Sequence, residues 1–288
     1  MPRPNLPVGR RAVLTAGIFA VGGGLAACTD TPTPSPAAGG PTGSAAPSTT
    51  PTTSATAATA PATPTASVPS ATTSAPSASA PAVLSSPGPD LRTGSAAYPA
   101  VALTFHGAGD LALTTAVLDI ARTAGAHLTV FAVGQWLAAN PGIGRAIVAA
   151  GHDLGNHTWS HQPMTSLDAA AARSEISQGA EAVAGSVGQA GLLFRPSGTP
   201  TSTATIRTAA AASGYARCIG YDVDPLDYDD PGAALVRSRT LAAVKAGSIV
   251  SLHLGHQGTV DALPGILQGL AAKGLQAVTV SRLLAGAA

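Results

Sequence analysis

Aromatic side chains are scarce in this chain: two Trp, four Tyr and four Phe in 288 residues. Any one of them beside a polar motif is therefore informative. Cysteine is scarcer still, with Cys28 and Cys218 alone, so no intrachain disulfide framework is expected. Charge is sparse and balanced, 15 basic against 14 acidic residues for a net +1, which leaves no basic footprint for nucleic acid. The apolar segment from Ala12 to Leu25 is too short to persist as a membrane-spanning helix.

What is present divides into three parts. Residues 1–28 read as an export signal. Arg10-Arg11 before Ala12-Val13-Leu14 resembles a twin-arginine signal, and Leu25-Ala26-Ala27-Cys28 resembles a bacterial lipoprotein box. Cys28 would then carry the lipid chains of a membrane anchor. An ordinary secretory signal with an incidental cysteine is the alternative. Residues 29–95 are Pro, Thr, Ser, Ala and Gly with almost no charge. Such a segment cannot bury enough apolar surface to offset its ordering entropy and reads as a disordered tether. Its coil reach is roughly 45 Å for about 67 residues, enough to hold a domain within a wall layer. Residues 96–288 are globular in composition, hold all seven histidines, and suffice for one core.

The globular part alternates apolar runs with helical patterns, the signature of βα units. Strands are expected at 100–105, 128–133, 153–154, 192–194, 215–222, 248–254 and 276–280. Helices are expected at 111–124, 142–150, 166–187, 202–213, 232–245 and 261–273. About seven βα units predict an α/β fold, a single distorted (β/α) barrel. An open doubly wound sheet is the runner-up, but no Gly-rich nucleotide loop follows the first strand.

The polar motifs all fall where strands end, the face on which barrels assemble active sites. His106 and Asp110 follow the first strand, and Asn156-His157-Thr158-Trp159-Ser160-His161 the third. Arg195-Pro196 follows the fourth, Asp224-Pro225-Leu226-Asp227-Tyr228 the fifth, and Leu252-His253 closes the sixth. His157 and His161, at i and i+4, would share one side of a helical turn and converge on one divalent metal, zinc by its preference for imidazole.

Together these segments resemble the polysaccharide deacetylases of the NodB-homology type, carbohydrate esterase family 4. Thr104-Phe105 matches the start of the family's TFDDG motif and His157 to His161 its H(S/T)xxH motif. Arg195-Pro196 approximates RxPY, Asp224 to Tyr228 matches DxxDW with Tyr for Trp, and Leu252-His253 matches LH. The resemblance implies hydrolysis of N-acetyl groups on an amino-sugar polymer such as cell-wall glycan, and the signal at residues 1–28 adds the expectation of a monomer lipid-anchored outside the cytoplasm. It implies a metal held by an aspartate and two histidines, an aspartate base, and His253 as acid to the leaving amine. Asp224 or Asp227 would brace Arg195, which would hold the base. Trp159, Tyr228 and Leu252 would line the substrate.

The chain departs from the family where His106-Gly107 replaces the paired aspartates. Asp110 could complete the metal site with His106 as base, or His106, His157 and His161 could bind the metal with Asp110 as base. Asp110 as a plain helix cap, and His127 and His152 as structural histidines, are the bland readings. His256 is a candidate for the rim of the site. A non-catalytic glycan-binding lipoprotein, and a hydrolase of another small acyl ester or amide, are the rival functions.

Overall fold

A computed structural model describes residues 87–286. The export signal, Cys28 and nearly all of the tether lie outside the described residues. Five parallel strands make the sheet: β1 (Ala100–Gly107), β2 (Thr129–Ala132), β3 (Asp153–Asn156), β4 (Ile249–His253) and β5 (Gln276–Val278). Their order is β3-β2-β1-β4, with β5 on the first half of β1. Eight α-helices accompany them: α1 (Leu111–Thr123), α2 (Gly134–Ala139), α3 (Ile143–Ala149), α4 (Ala169–Val187), α5 (Ala204–Ala212), α6 (Ala233–Ala243), α7 (Gln257–Ala272) and α8 (Val280–Ala285). None of these helices is long and apolar enough to cross a membrane.

Pairing continues from β3 back to β4 by single bridges, Asn156 to Phe194 and Val223 to Val250, with Ile219 N–H donating to the Phe194 carbonyl at 2.8 Å. All seven strand positions expected from the pattern thus take part, and the barrel is distorted as predicted. The two expected strands at 192–194 and 215–222 are reduced to isolated bridges. Pro196 withholds an amide just past Phe194. The second run bends at Asp222, where its pairing passes from Phe194 and Leu91 to Ile249. The short helices α2 and α8 have no counterpart in the sequence reading.

The globular part also begins earlier than the change in composition at residue 95. Leu91 pairs with Ile219 and Thr93 with Ser248, and the Asp90 carboxylate accepts from Ser202 N–H at 2.7 Å.

The period of two in β1 sorts its side chains between two cores. Val101, Leu103 and Phe105 pack outward with Val117 of α1 and Leu263 and Ile266 of α7. Ala100 and Ala102 face inward with Phe131, Ile249 and Val278. Thr104 and His106, on the inward row, lie toward the C-terminal end of β1. The register sets His106 beside His253 and Thr104 beside Ser251. A third cluster, including Met164, Ile176, Phe194 and Tyr215, joins α4 and α5.

Candidate active site

Four imidazoles gather at the C-terminal ends of the strands. The His106 ring lies 4.6 Å from that of His157 and 4.5 Å from that of His253. His157 lies 4.9 Å from His161. Tyr228, largely exposed, meets the His253 ring edge-on at 5.1 Å.

His157 and His161 do not sit on a helical turn as expected. They occupy an irregular loop after β3 in which Thr158 and His161 both have positive φ, 69° and 61°. A left-handed β-branched residue is costly, so the surroundings must hold it. Asn156 does so from one side: its side-chain amide donates to the Ile176 carbonyl and the Tyr215 hydroxyl, while its Oδ1 accepts from Thr158 N–H at 2.8 Å. Glu175 does so from the other. Its carboxylate accepts from the Trp159 and Ser160 amides, the Ser160 hydroxyl and the Gln162 side chain. Gly179 completes the cradle, because a Cβ there would run into Asn156 and the Thr158 backbone.

The role of Glu175 escaped the sequence reading, though a signal was there. It sits in the buried stripe of α4 with Ala172, Ile176, Gly179 and Val183. A carboxylate in an apolar stripe needs donors.

Arg195 is the largest fully buried side chain of the described residues. Its Nε and Nη2 donate to the carbonyls of Ile219 and Gly220, both at 3.0 Å. Nη1 donates to Thr104 Oγ1 at 2.7 Å and to His106 Nε2 at 3.0 Å. The guanidinium lies over Phe131 at 4.3 Å and toward Tyr221 at 5.4 Å. Burial pulls its pKa down to about 9, so it stays charged at neutral pH.

Neither Asp224 nor Asp227 hydrogen-bonds Arg195 as the expected brace would, although the Asp224 charge helps to keep the guanidinium protonated. Asp224 turns back to accept from Leu226 N–H at 2.9 Å. Asp227, fully buried, serves His253: Oδ1 meets His253 Nδ1 at 2.8 Å, and Oδ2 accepts from His253 N–H and Thr259 Oγ1. With a carboxylate on Nδ1, the proton sits there and Nε2 is left with its lone pair.

His106 is not free to act as base. Arg195 has no acceptor, so Nε2 of His106 must supply the lone pair for that contact, and the proton resides on Nδ1. Burial, with the repulsion that a protonated His157 would add and the charge of Arg195, holds the ring well below the usual imidazole pKa, hence neutral. Asp110 is likewise engaged elsewhere. Its Oδ1 caps α1, accepting from Ala112 N–H at 2.7 Å and Leu113 N–H at 3.2 Å.

The metal expected here finds two suitable ligands. Nδ1 of His157 donates to the Arg195 carbonyl at 2.8 Å, so Nε2 carries the lone pair. That nitrogen is buried without a partner, and burial followed by the charge of His161 keeps the ring neutral. This is the donor state that coordination requires. Burial and His253 lower the pKa of the exposed His161 as well. A third ligand is missing: no group of three or more His, Cys, Asp or Glu among the described residues is arranged to hold a metal. Neither Asp110 nor His106 completes the pair.

Leu252, expected at the substrate, is fully buried in the outer core, one residue out of phase with the inward row. Trp159 is partly buried with its ring against Gly134, so it packs the loop onto α2. Tyr228 remains on the open side. His256 pairs with Asp230 at 2.8 Å, and its ring stands 6.1 Å from that of His253, at the edge of the cluster. His152 accepts from Leu128 N–H, a structural role as anticipated.

Residues 94–217 match the polysaccharide deacetylase family. The chain is 33% identical over 187 residues to the peptidoglycan-N-acetylglucosamine deacetylase of Bacillus cereus, covering 64% of this chain and 87% of that one. The chain belongs to the polysaccharide deacetylase family. Its relatives of that name are hydrolases of carbon–nitrogen bonds other than peptide bonds. The family 4 carbohydrate esterase of Streptomyces lividans, solved in complex with acetate, is 33% identical with a TM-score of 0.58 over 62% of this chain and 91% of that one. A family pseudoenzyme from Bacillus anthracis, 23% identical with a TM-score of 0.65 over 69% of each chain, shares the fold.

Within this polysaccharide deacetylase, the glycine of the altered first motif is a steric necessity. A Cβ on Gly107 would lie 2.7 Å from Ala132 Cα and 2.9 Å from the Phe131 carbonyl oxygen. The departure from paired aspartates is therefore built into the contact between β1 and β2.

Proposed function

We propose that this chain removes acetyl groups from an N-acetylated amino-sugar polymer, with cell-wall glycan as substrate. The observation that carries the reading is the Asp227–His253 pair, joined through the His106 ring to His157 and His161 in a domain of this family. An imidazole anchored by a carboxylate on Nδ1 can, once it has taken a proton on Nε2, supply the proton that an amine leaving group needs. Tyr228 offers an exposed face for a sugar ring beside that imidazole.

A divalent ion, zinc by preference for nitrogen ligands, would be held by His157 and His161, and its chemistry there would be polarisation of the acetamide carbonyl. The chain acts as a monomer outside the cytoplasm, tethered through a lipid on Cys28 after export by the twin-arginine route. That anchoring rests on the sequence of residues 1–28, and conversion of Cys28→Ser should move the protein from the membrane to the soluble fraction.

The deciding experiment is acetate release by the full chain from N-acetylated glucosamine oligomers and from peptidoglycan. Release above the uncatalysed background supports the reading, and none with either substrate overturns it. A second reading, glycan binding without turnover, is favoured by the engagement of His106 with Arg195 and by Gly107 in place of an aspartate. It predicts glycan retention with no acetate.

A further inference from the structure

We propose that His253 performs both proton transfers of the reaction, taking the proton of the attacking water and returning it to the departing amine. This rests on the deacetylase reading above. The family pattern divides these tasks between an aspartate and a histidine. Here each other candidate for the first task is turned to another partner, buried away from water or without a carboxylate to support it.

Among carboxylates, Asp227 is buried with both oxygens engaged by His253 and Thr259. Asp110 caps α1, and Asp224 caps its own turn. Glu175 is consumed by the histidine loop. Asp230 pairs with His256.

Among imidazoles, His106 gives its basic nitrogen to Arg195, and Ser251 Oγ stands 3.1 Å from the same atom. His157 is fully buried, closed to a water arriving from solvent. His161 has no carboxylate to stabilise the imidazolium that proton uptake would create. His253 has all that the task requires: partial exposure, a carboxylate at 2.8 Å on Nδ1, and Nε2 left to accept. A buried carboxylate on the far nitrogen both fixes the tautomer and stabilises the protonated ring.

The step balances without another reactant. A water O–H bond breaks as its oxygen bonds to the acetyl carbon, and the proton passes to His253 Nε2. The carbon–nitrogen bond then breaks, its electron pair stays on nitrogen, and Nε2–H returns the proton to that nitrogen. Acetic acid and a free amine result, and His253 is neutral again.

Leaving-group chemistry separates the two roles. A 4-nitrophenolate departs without protonation, so hydrolysis of 4-nitrophenyl acetate needs the base but not the acid, whereas the N-acetyl glycan needs both. The experiment compares turnover of both substrates by the full chain and by His253→Ala, with circular dichroism to verify folding. If His253 serves both roles, turnover falls by about 10²-fold or more on the ester as well as on the amide. Ester turnover within threefold of the unaltered protein, with amide turnover lost, would make His253 an acid alone and overturn the proposal. Should His253→Ala fail to fold, His253→Gln carries the same comparison. Absence of acetate release by the unaltered protein is a different outcome: it overturns the deacetylase reading, and the dual role with it.

Discussion

Arg195 donates from Nη1 to Nε2 of His106 across 3.0 Å, at a position where the family motif places an aspartate. A buried guanidinium that would face a carboxylate instead faces a neutral ring. Its charge is offset by two backbone carbonyls, the Thr104 hydroxyl and the face of Phe131. The contact converts His106 from a candidate base into a group that positions Arg195.

Replacement of His106 separates these roles. His106→Asn keeps an acceptor within reach of Arg195, so turnover should fall by no more than about tenfold, against the 10²–10⁴-fold typical of a lost acid or base. His106→Leu removes the acceptor and leaves a buried N–H unsatisfied, at a stability cost of about 1–3 kcal/mol by urea unfolding. A hundredfold loss of turnover in a well-folded His106→Asn protein would return the base to His106.

Gly107→Asp, the change that would restore the second aspartate, should destabilise rather than rescue. Its Cβ meets the backbone of Ala132 and Phe131, and β2 would have to move. Overpacking of this kind costs about 1–3 kcal/mol, a fall in Tm of several degrees for a domain of this size. An unchanged Tm together with new metal affinity would show that the two strands part easily.

The barrel was legible because βα alternation is a property of the whole pattern, and hydrophobic runs such as Ala100 to Phe105 declare themselves. The histidine loop was legible as residues but not as geometry: spacing at i and i+4 suggests a helical turn, whereas Thr158 and His161 at positive φ form a loop. Which carboxylate serves which partner was hidden. Asp224 and Asp227 are three residues apart, and only the left-handed Leu226 between them turns one to its own loop and the other to His253. Leu252 stands next to His253 in sequence, yet strand alternation sends it to the opposite core.

Glu175 should matter to the metal without touching it. Four donors from residues 159–162 converge on its carboxylate, and with them goes the placement of His161. Glu175→Ala should weaken zinc binding at His157 and His161 by about 10–100-fold, the usual effect of losing an outer-shell partner. Calorimetric titration with zinc provides the measurement, and His157→Ala with His161→Ala should abolish the signal. Unchanged affinity in Glu175→Ala would show that the loop keeps its shape unaided.

Acidification should destabilise the domain through its buried imidazoles. Burial, with neighbouring positive charge, holds His106 and His157 well below the ordinary value of 6.5, and His161 and His152 shift in the same direction. Above pH 6.5 these rings are neutral in the folded and the unfolded chain, so they contribute no pH dependence. As pH falls through 6.5 the unfolded chain takes up protons that the folded chain refuses, and stability declines until the depressed folded values are reached. Each fully buried ring contributes a slope of about 1.4 kcal/mol per pH unit in that window. Urea unfolding between pH 8 and pH 5.5 should give a plateau and then a steep loss, with an unchanged m-value. The slope should be shallower in His106→Asn, which has no proton to refuse. Stability that stays level down to pH 5.5 would mean that these rings accept protons in the folded state, and the Arg195–His106 contact could not then have the form described.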